Sequence, residues 1–114
     1  MFKKIECIIQ PFKLEEVKEA LKKIAINGLT VTEVKGCGVQ RGYKNGSYEE
    51  TKPIVLNPKV KLEIVVDEED VEKIIDIIQK YAKTGHIGDG KIFVTPVEDI
   101  IRIRTSEKGR TALK

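Results

Sequence analysis

Three glycines and a lysine carry the most specific chemistry in this chain. They are Gly85, Gly88, Gly90 and Lys91, in the stretch Thr84-Gly-His-Ile-Gly-Asp-Gly-Lys-Ile-Phe-Val94. Glycine lets backbone turn tightly and approach a ligand, because no Cβ intervenes. Glycine-rich backbone followed by a lysine suits a phosphate group. Further on, Arg102 and Arg104 lie two apart in Ile100–Thr105, a run that reads as extended, so both project from one face. Two permanently charged planar forks side by side suit a polyphosphate. Together the two features favour a nucleotide. Plainer readings stand beside them: a tight αβ turn shaped by Gly and Asp, and an exposed basic edge strand that blunts aggregation.

Gly85–Lys91 matches the G-x-x-x-x-G-K half of a Walker A motif. An ordinary P-loop is nevertheless excluded. Ile92 stands where Ser or Thr would bind magnesium, and a P-loop runs from strand to helix, whereas this stretch runs from helix to strand. His86, the single histidine, reads as a solvent-facing loop residue rather than a base. Cys7 and Cys37 each sit in an apolar stretch and read as small buried hydrophobes. No Cys/His cluster has metal-ligand spacing.

The elements that must position these groups are legible from periodicity. Phe2–Ile9 alternates as a strand, with Ile5, Cys7 and Ile9 on one face and Lys4, Glu6 and Ile8 on the other. A helix follows Gln10-Pro11-Phe12, with Val17, Ala20, Leu21 and Ile24 as its apolar stripe and Asn27-Gly28 as its stop. Leu29–Cys37 is a β-branched second strand. Lys59–Val66 is the third, with Val60, Leu62, Ile64 and Val66 opposite Lys59, Lys61, Glu63 and Val65. An acidic run, Asp67–Asp70, opens a second helix at its positive end, with the stripe Val71, Ile74, Ile75 and Ile78. The glycine stretch then leads into a strand over Lys91–Val97. Ser106–Lys114 reads as a polar, mobile tail.

Residues 38–58 show no sustained period, and a loop of this length in a small domain tends to be functional or disordered. A hairpin turning at Asn45-Gly46 is the alternative. The two helix stripes have the same spacing 54 residues apart, and each helix follows a strand with a central glutamate, Glu6 or Glu63. Two β-α-β halves predict an α+β, ferredoxin-like βαββαβ sandwich in one domain, residues 1–114. Both helices cover one sheet face. The other face shows Ile8 and Val65 beside Glu6 and Glu63, and a second copy of the chain is its simplest cover.

Charged residues make up 34% of the chain, but 21 basic and 18 acidic residues are intermixed and the net charge is only +3. No basic run interleaves with aromatics, which argues against direct nucleic-acid binding, including a ferredoxin-like RNA module. Without a signal peptide or a long apolar span, the expectation is a cytoplasmic protein with no membrane insertion.

With these motifs in place, the sequence resembles the PII signal-transduction proteins of nitrogen regulation. Thr84-x-x-x-Gly88-Asp89-Gly90-Lys91-Ile92-Phe93-Val94 matches the family's C-terminal signature. The segments Ile8–Leu14, Thr30–Gln40, Pro58–Lys61 and Ile101–Thr105 also look like family motifs, in the family's order. The resemblance implies a homotrimer with ATP or ADP in clefts between neighbours, and 2-oxoglutarate bound beside ATP and Mg2+. Gly88, Asp89, Gly90 and Lys91 would wrap the phosphates, and Arg102 and Arg104 would reach them. Ile8, Glu63 and Val65 would line the base pocket, and Gly36 and Gly38 would lie along the nucleotide. Gln40 would ligand magnesium, and Lys59 would pair with 2-oxoglutarate.

Residues 38–58 would be the family's flexible T-loop, which docks on a regulated partner such as an ammonium channel or an enzyme of nitrogen metabolism. Here the chain departs from the family. Lys52 stands where many bacterial members carry a uridylylated tyrosine. Tyr48 replaces an arginine that some members use as a channel plug, and Val39 replaces a phosphate-contacting arginine. A slipped reading, Tyr43–Tyr48, recovers part of the signature and makes Tyr48 a candidate for modification. The expected function is a regulator that binds and does not turn over its ligands. A slow ATPase in the same cleft is the alternative, against which stand the missing base and the missing hydroxyl after Lys91.

Overall fold

The computed structural model describes residues 1–24, 26–37, 42–44, 47–49 and 54–114, with side chains of all but 42–44 and 47–49. The elements are β1 (Phe2–Ile9), α1 (Leu14–Lys22), β2 (Thr30–Gly36), β3 (Gly42–Lys44), β4 (Ser47–Glu49), β5 (Asn57–Asp67), α2 (Val71–Ala82), β6 (Ile92–Val97) and a short α3 (Arg110–Leu113). Strands β2-β5-β1-β6 form one four-stranded sheet in that order, with antiparallel neighbours throughout. The ferredoxin-like α+β arrangement expected from the alternation is therefore present, with the long connection between β2 and β5.

Alternation decides which face is dry. Ile5, Cys7 and Ile9 of β1 and Val60, Leu62, Ile64 and Val66 of β5 are all buried, against Val17 and Leu21 of α1 and Ile74 and Ile78 of α2. Burial pushes the Cys7 thiol up to about 11, so it is an inert filler of this core. Cys37 is exposed, contrary to the expectation of two buried cysteines. It lies one residue past the end of β2, beyond the reach of the helices.

The opposite sheet face carries Lys4, Glu6, Ile8, Lys61, Glu63 and Val65, half-buried, as expected. Lys4 pairs with Glu63 at 3.1 Å, and Lys61 pairs with Glu6 at 3.6 Å and Glu63 at 3.7 Å. The Lys4 ammonium, and secondarily Lys61, holds the Glu63 carboxyl below its ordinary range.

The internal repeat is real, but its offset is 57 residues and not 54. Buried Val17 and Leu21 correspond to Ile74 and Ile78, and Glu6 corresponds to Glu63. A helical stripe recurs at both three and four residues, so spacing alone leaves a three-residue ambiguity. The backbone confirms the match. Each helix is entered through a 3-10 turn, Pro11–Lys13 or Glu68–Asp70, from an extended cap at φ −68°, ψ 139° (Gln10) or φ −68°, ψ 144° (Asp67). Helix α1 ends at Lys22, before the predicted stop at Asn27-Gly28, and Ile24 packs on the core from beyond its end.

Strands β3 and β4 pair antiparallel, Tyr43 opposite Tyr48, as in the hairpin alternative for this segment. The turn at Asn45-Gly46, and Gly38, Val39, Gln40 and Lys52, lie outside the described residues.

Two expectations for the C-terminal end are corrected. Ile100–Thr105 is a tight turn and not an extended run. Ile101 bridges Lys108, and the Ser106 amide donates to the Arg102 carbonyl at 2.8 Å. Ser106 at φ 64° and Gly109 at φ 66° provide the reversals. The polar tail also carries structure: α3 is tied back by Arg110 to Asp67 at 2.7 Å. A helix this short forms only because tertiary contacts hold it.

Candidate functional site

The glycine stretch connects α2 to β6. The Lys83 amide closes α2 on the Gln79 carbonyl at 3.1 Å, and the chain then turns through Gly85 at φ 84° and Gly88 at φ 110°. One carboxylate organises the loop. Asp89 Oδ1 accepts from the Thr84 hydroxyl at 2.6 Å, and Oδ2 accepts from the Thr84 and Gly85 amides at 2.9 and 3.0 Å. The Thr84 hydroxyl in turn accepts from the His86 amide at 3.1 Å. These bonds, led by the Thr84 hydroxyl, hold the Asp89 carboxyl below its ordinary range. His86 itself is exposed, as the sequence implies.

Beyond Asp89 the loop lies directly on β1. The Ile8 amide donates to the Lys91 carbonyl at 3.0 Å. A Cβ on Gly90 would lie 2.0 Å from the Ile8 carbonyl oxygen, and one on Gly88 would lie 2.7 Å from the Gln10 side-chain nitrogen. The Ile8 backbone therefore demands a glycine at 90, whereas at 88 the requirement comes from the positive φ, since the Gln10 side chain can move aside. Among the described residues the amides of Gly88 and Gly90 donate no hydrogen bond, and exposed Lys91 makes no ion pair.

Lys59 joins this loop to β5. The residue is only 9% exposed, and its ammonium donates to the Gly88 carbonyl at 2.8 Å and the Gln10 side-chain oxygen at 3.0 Å, both bonds partly buried. Among the described residues no carboxylate pairs with it. Gly36 faces it from β2, where an added Cβ would sit 3.9 Å from Lys59 Cγ. Ile8, Gly36, Lys59, Gly88 and Gly90 are thus assembled in one place by the strand order. Glu63 and Val65 lie further along the same face, opposite Glu6 and Lys4. A cleft of about 620 Å³ opens along β6, lined by Ile8, Asp89, Gly90, Lys91, Gln79 and Phe93 among others. Its size is that of a small-molecule site.

Two predicted roles look different in this geometry. The Asp89 carboxylate faces the loop's own backbone donors. Arg102 is engaged within its own turn: Nη1 pairs with Glu107 at 3.1 Å, and Nη2 donates to carbonyls of α3 and the terminal residue. Arg104 is exposed and has no ion pair among the described residues. Gln10, Thr84 and Glu107 went unrecognised as site residues. The spacing Thr84-x4-Asp89 around glycines is the usual signature of a side-chain-closed turn and could have found one of them. Gln10 and Glu107 carry no comparable signal.

Fold and site define an α+β sandwich with a glycine-lysine loop packed on its first strand. Residues 2–107 match the family model described as "Nitrogen regulatory protein P-II". The chain is 56% identical over 112 residues to the nitrogen regulatory protein P-II of Azospirillum brasilense, covering 97% of this chain and 99% of that one. It is 50% identical over 111 residues to nitrogen regulatory protein P-II 1 of Methanothermobacter thermautotrophicus, covering 97% and 96%. Among solved structures it is similar to Arabidopsis thaliana PII bound to citrate, with a TM-score of 0.78 and 44% identity over 97% of this chain and 91% of that one. The chain belongs to the nitrogen regulatory protein P-II family. It is a regulatory signal protein and not an enzyme, which removes the slow ATPase reading. No helix among the described residues is long and apolar enough to cross a membrane.

Proposed function

We propose that this chain senses nucleotide and 2-oxoglutarate and reports their state to a partner in nitrogen metabolism through residues 38–58. ATP or ADP lies in a cleft between neighbouring copies of a cytoplasmic homotrimer. Lys91 and Arg104 supply its cations, and the amides of Gly88 and Gly90 supply neutral donors. Half-buried Ile8 and Val65, exposed Phe93 and fully exposed Ile103 support association of copies.

One observation carries the effector reading. Lys59, a residue only 9% exposed, rests its partly buried ammonium on two neutral oxygens beside the glycine loop, with no carboxylate pairing with it among the described residues. Burying a cation is costly unless a charge compensates it, and a bound dicarboxylate would do so. The citrate in the Arabidopsis relative supports a carboxylate-binding property in the family. The donor set also fits a magnesium nucleotide, with oxygen ligands drawn from phosphate, the keto acid and the Gln40 amide. Bound magnesium would screen the phosphates from the effector's carboxylates.

Calorimetry tests this. Lys91→Ala should weaken ATP by about 10- to 150-fold, the loss of one charge-assisted contact of about 1.5–3 kcal/mol. 2-oxoglutarate should bind with Mg-ATP and not with ATP plus EDTA, and Lys59→Ala should abolish its binding. Wild-type ATP affinity in Lys91→Ala, or effector binding independent of magnesium, would overturn the assignment.

A further inference from the structure

Arg102 is a cation of the proposed phosphate site that the chain's own groups already occupy. Its Nη1 donates to Glu107 Oε1 at 3.1 Å, and Glu107 Oε1 also accepts from the Thr105 hydroxyl at 2.7 Å. Its Nη2 donates to the carbonyl of Thr111 at 3.2 Å, to that of Ala112 at 3.5 Å, and to the terminal Lys114 oxygen. Both terminal nitrogens of the fork are therefore engaged. The main chain repeats the closure, since the Arg102 amide donates to the Glu107 carbonyl at 2.9 Å. A bidentate grip on phosphate through the two terminal nitrogens competes with these bonds.

We propose that the C-terminal segment Thr111–Lys114 is a built-in competitor for Arg102, which a nucleotide must displace before Arg102 can reach its phosphates. This inference rests on the nucleotide reading above and adds a regulation of the same site.

The segment is built to be displaced. The last carbonyls of a helix have no partner within it, and the guanidinium caps those of α3. The helix has four residues, so it has almost no stability of its own. Its other anchors among the described residues include the Gly109 amide on the Ile100 carbonyl at 2.9 Å, the Ala112 and Leu113 amides on the Gly109 carbonyl at 2.9 and 3.3 Å, and Arg110 on Asp67. The carbonyls of Thr111 and Ala112 are neutral and hold Nη2 more weakly than phosphate oxygens would, while Nη1 keeps its pairing with the Glu107 carboxylate. A phosphate that reaches Arg102 therefore wins, and its apparent affinity is reduced by the fraction of molecules in which the fork is still capped. Arg104, exposed and without an ion pair among the described residues, engages without this toll. Nucleotide binding then frees the chain's end, a change that a partner protein can read.

The test uses the full-length protein. Amide exchange over residues 110–113 is followed without nucleotide, with ADP and with ATP. ATP should speed exchange there severalfold. Ala112→Pro deletes the shorter of the two amide bonds that close α3 on the Gly109 carbonyl and leaves every charge in place, so it should tighten ATP about three- to tenfold. Should that variant fold poorly, Arg110→Gln breaks the tie to Asp67. Losing that positive charge would by itself weaken ATP, so any tightening reports release of the segment. Unchanged or slower exchange with ATP bound, or no tightening in either variant, overturns the competition while leaving the nucleotide site intact. Wild-type protein that binds no ATP overturns both.

Discussion

The glycine loop and the arginine turn each place a carboxylate near a cation, and they use it in opposite ways. In the loop, Asp89 spends its oxygens on the Thr84 hydroxyl and the amides of Thr84 and Gly85, and Lys91 stays exposed. In the turn, Glu107 is spent on the guanidinium of Arg102 itself. The same residue chemistry thus shapes a backbone in one region and neutralises a ligand group in the other. A carboxylate close to a candidate phosphate site is informative only once its acceptor bonds have been traced.

The largest effect should come from breaking the loop's seat on β1. Gly90→Ala places a Cβ 2.0 Å from the Ile8 carbonyl oxygen, which is backbone and cannot swing away. Overpacking of this kind costs about 3 kcal/mol, the upper end of its usual range. Urea unfolding should show that loss, and calorimetry should show ATP binding abolished with it. A variant of wild-type stability would mean that loop and strand separate easily, and the contrast with the displaceable tail would collapse.

A middling effect should separate the two arginines. Arg104→Ala removes an unencumbered cation and should weaken ATP by about 10-fold or more, in keeping with a charged hydrogen bond of about 1.5 kcal/mol or above. Arg102→Ala removes a cation whose gain is offset by uncapping α3, so its loss in affinity should be smaller. It should also free residues 110–113 in the absence of nucleotide, visible as faster amide exchange. Equal losses in both variants would show that Arg102 is as available as Arg104.

The fold was legible because it rests on periodicity. The alternation of Phe2–Ile9 and Lys59–Val66 sorts residues between faces without tertiary knowledge, and the buried set follows it. The glycines stand out in the sequence, but not the cause of each. Their spacing reads as room for a ligand, yet Gly90 is required by the Ile8 backbone and Gly88 by its own positive φ. Which neighbour forbids a side chain is a long-range fact that local sequence does not contain. The arginine run misled for a related reason. Alternating Ile and Arg over Ile101–Arg104 imitates a strand, yet among the described residues no sheet edge takes it up, and the Arg102–Glu107 backbone bond folds it into a turn. Lys59 enters as a site residue by family likeness alone. Nothing in its local sequence tells that a lysine on the alternating charged face is buried on a glycine carbonyl.

The smallest effect is the acid sensitivity of the Asp89 clamp, and its sign follows from the direction of the shift. The Thr84 hydroxyl first, then the amides of Thr84 and Gly85, favour the ionised carboxylate and depress its folded-state titration below that of the unfolded chain. The clamp's contribution is therefore fully present above the ordinary carboxylate range and is lost as pH falls through the depressed folded value. Glu63, depressed chiefly by Lys4, titrates in the same direction, so acid destabilisation of the wild type alone cannot be assigned to the loop. Asp89→Asn separates them. The amide oxygen can still accept from the backbone amides, and its NH2 can donate to the Thr84 hydroxyl, but the group no longer ionises. Unfolding measured on both proteins from neutral to acid pH should show the wild type more stable at neutrality and the gap closing as pH falls. The Glu63 contribution cancels because both proteins carry it. A gap that stayed constant with pH would show that the Asp89 carboxylate is not held by these donors in solution, and the loop would lose the feature that sets it apart from the turn.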